Sequence, residues 1–186
     1  MNLLVKDLMV PLSEYATVSK TATLSEAVLA LEKSQQEFDQ NRYRHRAVLI
    51  YDQNNKVIGK ISQLDVLRSL EPKYDEMLTG GRKSFQMGFT RNFQKSMLEQ
   101  LRLWDAPLDH ICKKAAEKKV ESFMTKPEEG EFIEADANLN EGIHQLVLGS
   151  HQSLLVTSPE TKEIIGILRL TDVFEAVAKE IAECKL

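Results

Sequence analysis

Residues 46–67, RAVLIYDQNNKVIGKISQLDVL, recur in altered form as SLLVTSPETKEIIGILRLTDVF at residues 153–174. A constant offset of 107 pairs Gly59 with Gly166 and Asp65 with Asp172. Upstream, VKDLMVPLSEYATVSKTATLSEAVLAL from Val5 matches VESFMTKPEEGEFIEADANLNEGIHQL from Val120 at an offset of 115, pairing Met9 with Met124, Leu24 with Leu139 and Glu26 with Glu141. The offsets differ by 8, so the first copy carries eight extra residues between Leu31 and Arg46, within the polar run EKSQQEFDQNRYRH. A repeat of this length is one structural unit used twice, in which each copy needs a neighbour to cover its apolar face. The 186 residues alone could be one domain or two small ones. The repeat divides them into a first unit at 1–70, an insert at 71–119 and a second unit at 120–186.

Each copy reads as β-α-β-β-α. A short strand, Ala16–Val18 or Phe132–Glu134, leads into Thr23-Leu-Ser-Glu26 or Asn138-Leu-Asn-Glu141. Both are capping-box patterns, in which a polar side chain at the helix start and a carboxylate three residues on bond each other's backbone N–H. The helices behind them carry Leu24, Ala27, Val28 and Leu31, or Leu139, Ile143, Leu146 and Val147, at helical spacing. The apolar runs Ala47–Tyr51 and Leu154–Thr157 follow, each with a polar turn (DQNN, SPET) and a second strand, Val57–Ile61 or Ile164–Leu168, which is a hairpin signature. A second helix opens near Asp65 or Asp172. The predicted fold class is α/β (α+β), with a helical insert between the repeats.

This element order, with an h-x-x-h-M segment ending at Met9 and again at Met124 and the motif Gly59-Lys-Ile-Ser62-Gln-Leu-Asp65, resembles a pair of cystathionine-β-synthase (CBS) domains. Such a tandem is called a Bateman module, and the chain is similar to stand-alone, bacterial-type CBS domain proteins. The matching blocks, residues 5–70 and 120–178, cover about two thirds of the chain. The resemblance implies two repeats packed with pseudo-two-fold symmetry and a non-catalytic regulatory module. Its ligand would be an adenine nucleotide (AMP, ADP or ATP) or S-adenosylmethionine, held in the cleft between the repeats. It further implies that Asp65 accepts hydrogen bonds from ribose hydroxyls, with Ser62 near the ribose or phosphate and Thr17 and Val18 beside the ligand. His45 and Arg46 precede a strand as does the phosphate-contacting pair of nucleotide-sensing CBS proteins such as the gamma subunit of the AMP-activated kinase. The offset of 107 places Gln152 and Ser153 opposite them. The second copy departs from the pattern: Arg169 stands at the Ser/Thr position and Thr171 directly precedes Asp172. Arg169 either pairs with phosphate or blocks the pocket by pairing with a neighbouring carboxylate. One well-formed site and a second, altered or empty site at Arg169, Thr171 and Asp172 are therefore expected.

The chemistry suits the assignment. An ionised carboxylate makes charge-assisted hydrogen bonds, and two vicinal hydroxyls can donate to its two oxygens. A helix N-terminus offers unpaired N–H groups and a positive dipole end to phosphate. A second reading stays open, because Ser62-x-x-Asp65 is itself a capping sequence whose side chains can serve the helix start alone.

The formal net charge of −4 is uneven: +1 over residues 1–70, +3 over 71–119 and −8 over 120–186. An acidic last third argues against nucleic acid, which needs a continuous basic patch, and the RYRHR run at 42–46 has no aromatic-interleaved continuation. No stretch approaches the ~20 apolar residues that span a bilayer, and the N-terminus lacks a signal-peptide pattern, so a cytoplasmic protein is expected. Cys112 and Cys184 fit no metal or disulfide spacing. His45, His110, His144 and His151 form no metal-ligand or nucleophile signature, so no catalytic residues and no metal are expected.

The insert reads as two helices split by Asp105-Ala-Pro107, after a loop around Gly80–Gly88. Phe93, Met97, Leu98, Leu101 and Trp104 form a stripe at helical spacing, either a core or dimer face or a docking surface. Gly80-Gly-Arg82-Lys83-Ser lacks the spacing of a phosphate-cradling loop. A homodimer is expected. The alternative function is a ligand-free dimerisation or scaffold protein that displays residues 71–119 to a protein partner.

Overall fold

The computed structural model describes residues 3–38, 44–74, 77 and 90–183. Arg42, the loop around Gly80–Gly88 with its GGRKS run, and Cys184 lie outside the described residues. In chain order the elements are α1 (Val5–Leu8), β1 (Val10–Pro11), β2 (Thr17–Ser19), α2 (Leu24–Glu37), β3 (Ala47–Tyr51), β4 (Val57–Ser62), α3 (Gln63–Leu70), α4 (Arg91–Gln100), α5 (Leu108–Ala116), β5 (Phe132–Glu134), α6 (Leu139–Leu148), β6 (Ser153–Thr157), β7 (Ile164–Arg169) and α7 (Leu170–Glu183).

Two small sheets result. In the first, β2 runs parallel to β3 and β3 antiparallel to β4; in the second, β5, β6 and β7 repeat that order and β1 is added beside β7. The α/β class with two equivalent halves follows directly. The strands that form each sheet centre are short, apolar and β-branched, and they alternate with amphipathic helices that cover them.

The halves are interleaved rather than merely adjacent. Val5 N–H donates to Ala137 O at 3.0 Å, and its counterpart Val120 N–H donates to Ala22 O at 2.9 Å. Leu139 N–H reaches Leu3 O at 2.9 Å while Leu24 N–H reaches Lys118 O at 2.8 Å. β1 pairs Val10 with Ile167, and the equivalent Thr125 exchanges two backbone bonds with Lys60, at 3.0 and 2.9 Å. Each half's leading segment thus crosses to the other half, which is a pseudo-two-fold exchange. The core follows suit. Val5 packs with Leu139, Leu154 and Leu168 of the second half, and Val120 with Ala27, Ile50 and Ile61 of the first.

Gly59 and Gly166 sit where this crossing is tightest. A Cβ on Gly59 would lie 2.7 Å from Met124 Sδ and 3.1 Å from Thr125 O. On Gly166 it would lie 2.7 Å from Val10 O and 2.8 Å from Met9 Sδ. The methionine of each half closes on the glycine of the other.

The strand register corrects the repeat alignment. Ala47 faces Ser62 and Ile50 faces Gly59, whereas Ser153 faces Arg169 and Val156 faces Gly166. β3 and β6 are therefore related by 106, while β4 and β7 keep 107. The second hairpin turn holds one more residue, and the first copy has nine extra residues before β3, not eight. Sequence could not fix this register because both strands are buried on both faces and carry no alternation. Backbone bonds give the same answer: Gln63 N–H donates to Arg46 O and Leu170 N–H to Gln152 O, at 3.1 and 3.0 Å. The counterpart of His45 is consequently His151, and that of Arg46 is Gln152.

Two further local expectations change. Thr23 and Glu26 form the reciprocal box, with Thr23 N–H donating to Glu26 Oε2 at 2.6 Å and Glu26 N–H to Thr23 Oγ1 at 3.2 Å. Asn138 instead accepts from Asn140 N–H at 3.0 Å, a nearer donor, so its box does not form. In the insert, α4 stops at Gln100, and Arg102 and Trp104 take left-handed backbone angles, φ 49° and 57°. Trp104 therefore leaves the helical stripe, while Phe93, Leu98 and Leu101 of that stripe are exposed. Among the described residues no helix is long and apolar enough to cross a membrane.

Gly166→Ala is expected to destabilise the protein more than Gly59→Ala, because its nearest obstruction is backbone rather than a flexible methionine. The expected loss is about 1–3 kcal/mol for Gly166→Ala, measured by urea unfolding, and equal losses for the two variants would contradict the crossing geometry.

Candidate functional site

The site begins where β4 runs into α3. Ser62 is the N-cap of α3: its Oγ accepts from Asp65 N–H at 3.2 Å, while Asp65 Oδ2 accepts from Ser62 N–H at 2.8 Å and from Ser62 Oγ–H at 2.6 Å. Asp65 Oδ1 also accepts from Thr125 Oγ1 at 3.2 Å, a residue of the other half, and lies 3.8 Å from Arg68 Nη1. An ionised carboxylate offers about four acceptor positions, and three are used by these hydrogen bonds. Asp65 is 8% exposed.

These residues border a cleft of about 380 Å³ between the halves. The first half lines it with Arg44, Arg46, Lys60, Ser62 and Asp65, and the second with His151, Gln152, Ser153, Arg169 and Thr171. Arg44 and Arg46 both border this cleft, with the buried His45 between them. Neither makes an ion pair among the described residues. Lys60 is bonded to Glu131, whose carboxylate also lies 4.0 Å from His151 Nδ1. Burial pushes the Glu131 carboxyl up, but the hydrogen bonds from Lys60 and Glu128 N–H, with the charges of Lys60 and His151, hold it below the usual carboxylate range.

In the second half the same corner is built differently. Arg169, 4% exposed, donates from Nε to Asp172 Oδ2 and from Nη2 to Asp172 Oδ1, both at 2.5 Å. Of the two expectations for Arg169, the structure shows the pairing with a neighbouring carboxylate: its fork is spent on the first turn of the helix that follows it. Its Nη1 lies 3.3 Å from His45 Nδ1, and its guanidinium carbon is 5.3 Å from the centre of the Phe38 ring. His45 is fully buried, its ring 4.4 Å from that of Tyr15 and 4.3 Å from that of Phe38. Burial pushes the Tyr15 hydroxyl up to about 12, against the pull of Arg169.

Of the residues singled out from sequence, Ser62, Asp65, Arg46, Arg169 and Thr171 meet in one cleft. His45, Thr17, Val18 and Asp172 are not part of its lining. His45 is enclosed between rings, Thr17 and Val18 pair with Leu49 and Ile50 inside the first sheet, and Asp172 stands behind Arg169. Sequence reasoning missed Lys60, Thr125 and His151. His151 had a signal, its equivalence to His45, which the uncorrected register hid. Lys60 and Thr125 had none, because they meet only through the crossing of the halves. Among the described residues no group of three or more His, Cys, Asp or Glu could hold a metal ion.

The family model of the CBS domain matches residues 5–72. No curated protein matches the sequence significantly. Several solved structures share its fold. Protein MJ1004 from Mathanocaldococcus jannaschii is 18% identical with a TM-score of 0.55, over 95% of this chain and 60% of that one, so this chain spans only part of that protein's length. CBSX2 in complex with AMP is 17% identical with a TM-score of 0.57, over 96% and 98% of the two chains. The CBS domain of the bacterial CNNM/CorC family Mg2+ transporter in complex with ATP is 15% identical with a TM-score of 0.58, over 94% and 87%.

Two outcomes are expected from urea unfolding. Arg169→Ala leaves Asp172 buried without its partner and should cost about 3–5 kcal/mol, most of it regained in Arg169→Met with Asp172→Leu; a loss near zero for the single variant would contradict the pairing. Glu131, with its folded value depressed, contributes stability that is present above its ordinary value of 4.5 and lost as pH falls through the lower folded value. Lys60→Met should therefore lose less stability than the parent on acidification below that point, and an unchanged pH profile would contradict the Lys60 contribution.

Proposed function

We propose, from the premise that this chain is a CBS domain protein with its domain fold present in both halves, that it is a non-catalytic regulatory module for an adenine nucleotide or adenosyl ligand. The observation that carries the reading is the cleft between the halves, with a buried carboxylate at one wall and, at another, two arginines that make no ion pair among the described residues. The two ribose hydroxyls would donate to Asp65, one in place of the Thr125 hydroxyl and one at the remaining acceptor position. Phosphate would face Arg44, Arg46 and the positive dipole end of α3, where charge and dipole are both favourable. That AMP and ATP are bound in two structures of the same fold adds support.

Regulation follows from where the ligand would sit. A ligand shifts an equilibrium only by binding one arrangement more tightly. One that touches residues of both halves has that property, since the halves are joined by the same Lys60–Thr125 and Asp65–Thr125 contacts that border it. Occupancy would be relayed through the packing of the halves, or of two cytoplasmic chains meeting through exposed apolar helix faces. In this proposal the second site is closed by the Arg169–Asp172 pair, and only one ligand is taken per chain.

The scaffold reading has one observation in its favour: Ser62 and Asp65 satisfy each other without any ligand. Calorimetric titration with AMP, ADP, ATP and S-adenosylmethionine separates the two. At least one of the four should bind, and Asp65→Asn should weaken it about 10- to 100-fold, the equivalent of hydrogen bonds to a charged group. Arg46→Ala should weaken phosphorylated ligands alone. Absence of heat with all four would sink the nucleotide reading and leave the scaffold.

A further inference from the structure

A second cavity, of about 540 Å³, lies between α3 and the insert, and Leu64 and Arg68 border both it and the cleft described above. Leu64 and Leu67 of α3 form one wall and Met97 and Leu98 of α4 the other, with Trp104 across one end. Leu64 and Leu67 are more than half exposed. The cavity falls within the range of about 300–1,000 Å³ typical of small-molecule pockets, which pair an apolar lining with a few placed polar groups.

The Trp104 wall is built at a conformational cost. A bulky residue at φ 57° is an outlier, and two bonds hold it there: Trp104 N–H donates to Glu71 Oε2 at 2.9 Å, and Trp104 Nε1–H to Tyr74 Oη at 3.0 Å. The chain on its other side is tied down by Lys73 Nζ, which donates to Leu101 O at 2.8 Å and Arg102 O at 3.0 Å. Both N–H groups of Trp104 are thereby satisfied, and its ring joins the cavity lining beside Tyr74. Strained backbone fixed by its surroundings is concentrated at ligand clamps and similar sites.

The polar complement of the cavity is narrow. Among the described residues that line it, Arg68 is the one charged group, and there is no carboxylate. Its partner Asp65 is 3.8 Å away and already accepts three hydrogen bonds, so the guanidinium has donors to spare. Leucine and methionine walls suit a flexible hydrocarbon chain.

The geometry points to a binding site for a medium-chain aliphatic carboxylate, its chain between α3 and α4 and its head on Arg68. This site shares Leu64 and Arg68 with the nucleotide cleft, but its apolar walls on α4 and Trp104 are its own and it does not depend on the nucleotide reading. Trp104 is the single tryptophan of the chain, so its fluorescence reports the site directly. Decanoate, decanol and decylamine are titrated into the full chain below their aggregation concentrations. Decanoate should give a saturable change at least tenfold tighter than decanol, with none from decylamine. Arg68→Gln should bring decanoate to the level of decanol while leaving decanol unchanged. The proposal is overturned by no saturable response to decanoate, by an equal response to decylamine, or by an unchanged affinity in Arg68→Gln. It is also overturned if the response fades as protein concentration rises, which would make the cavity an interface between copies.

Discussion

The architecture depends on one reciprocal contact: the leading segment of each half crosses over and its methionine closes on a glycine in the other half's hairpin. Met9 sits against Gly166 and Met124 against Gly59, at distances that leave no room for a Cβ. Around each contact the backbone bonds repeat in pairs, Val5 with Ala137 and Val120 with Ala22. Neither half has a complete core without the other's Val5 or Val120. Three-stranded sheets of this size are marginal alone, and the exchange makes two of them one cooperative structure.

The same crossing places the functional corner. Thr125 follows directly after Met124, and the crossing carries its backbone to Lys60 and its hydroxyl to Asp65. Symmetry would bring an equivalent corner at the second half, but one substitution breaks it. Where the first half has Ser62, a short cap that leaves the cleft open, the second has Arg169, long enough to fold back onto Asp172 with both arms of its guanidinium. A buried pair of this kind is costly to break by removing one partner. In the first half Arg44 and Arg46 border the cleft with no ion pair among the described residues, while in the second Arg169 is paired internally.

Much of this was legible in the sequence, for identifiable reasons. The repeat, the hairpins, the split insert and the Thr23 cap rest on local patterns that tertiary packing did not override. Ser62, Asp65, Arg46, Arg169 and Thr171 came together because a strand-to-helix motif carries its own geometry. The failures share a cause as well. β3 and β6 are apolar on both faces, so nothing in them marks a one-residue slip, and that slip hid the equivalence of His45 and His151. His45 was assigned by its place before a strand, whereas its burial is decided by Tyr15 and Phe38, distant in sequence. Trp104 continued a helical stripe on paper, yet its backbone N–H bonds Glu71, 33 residues away, and the helix ends first.

The central claim is that two equivalent halves form a single working nucleotide site, because the Arg169–Asp172 pair closes the second. Native mass spectrometry of the protein with saturating adenine nucleotide counts the ligands held per chain. The account predicts one bound molecule per chain, displaced by Asp65→Asn and unaffected by Asp172→Asn. Two molecules per chain, or one that Asp65→Asn leaves in place, would contradict it.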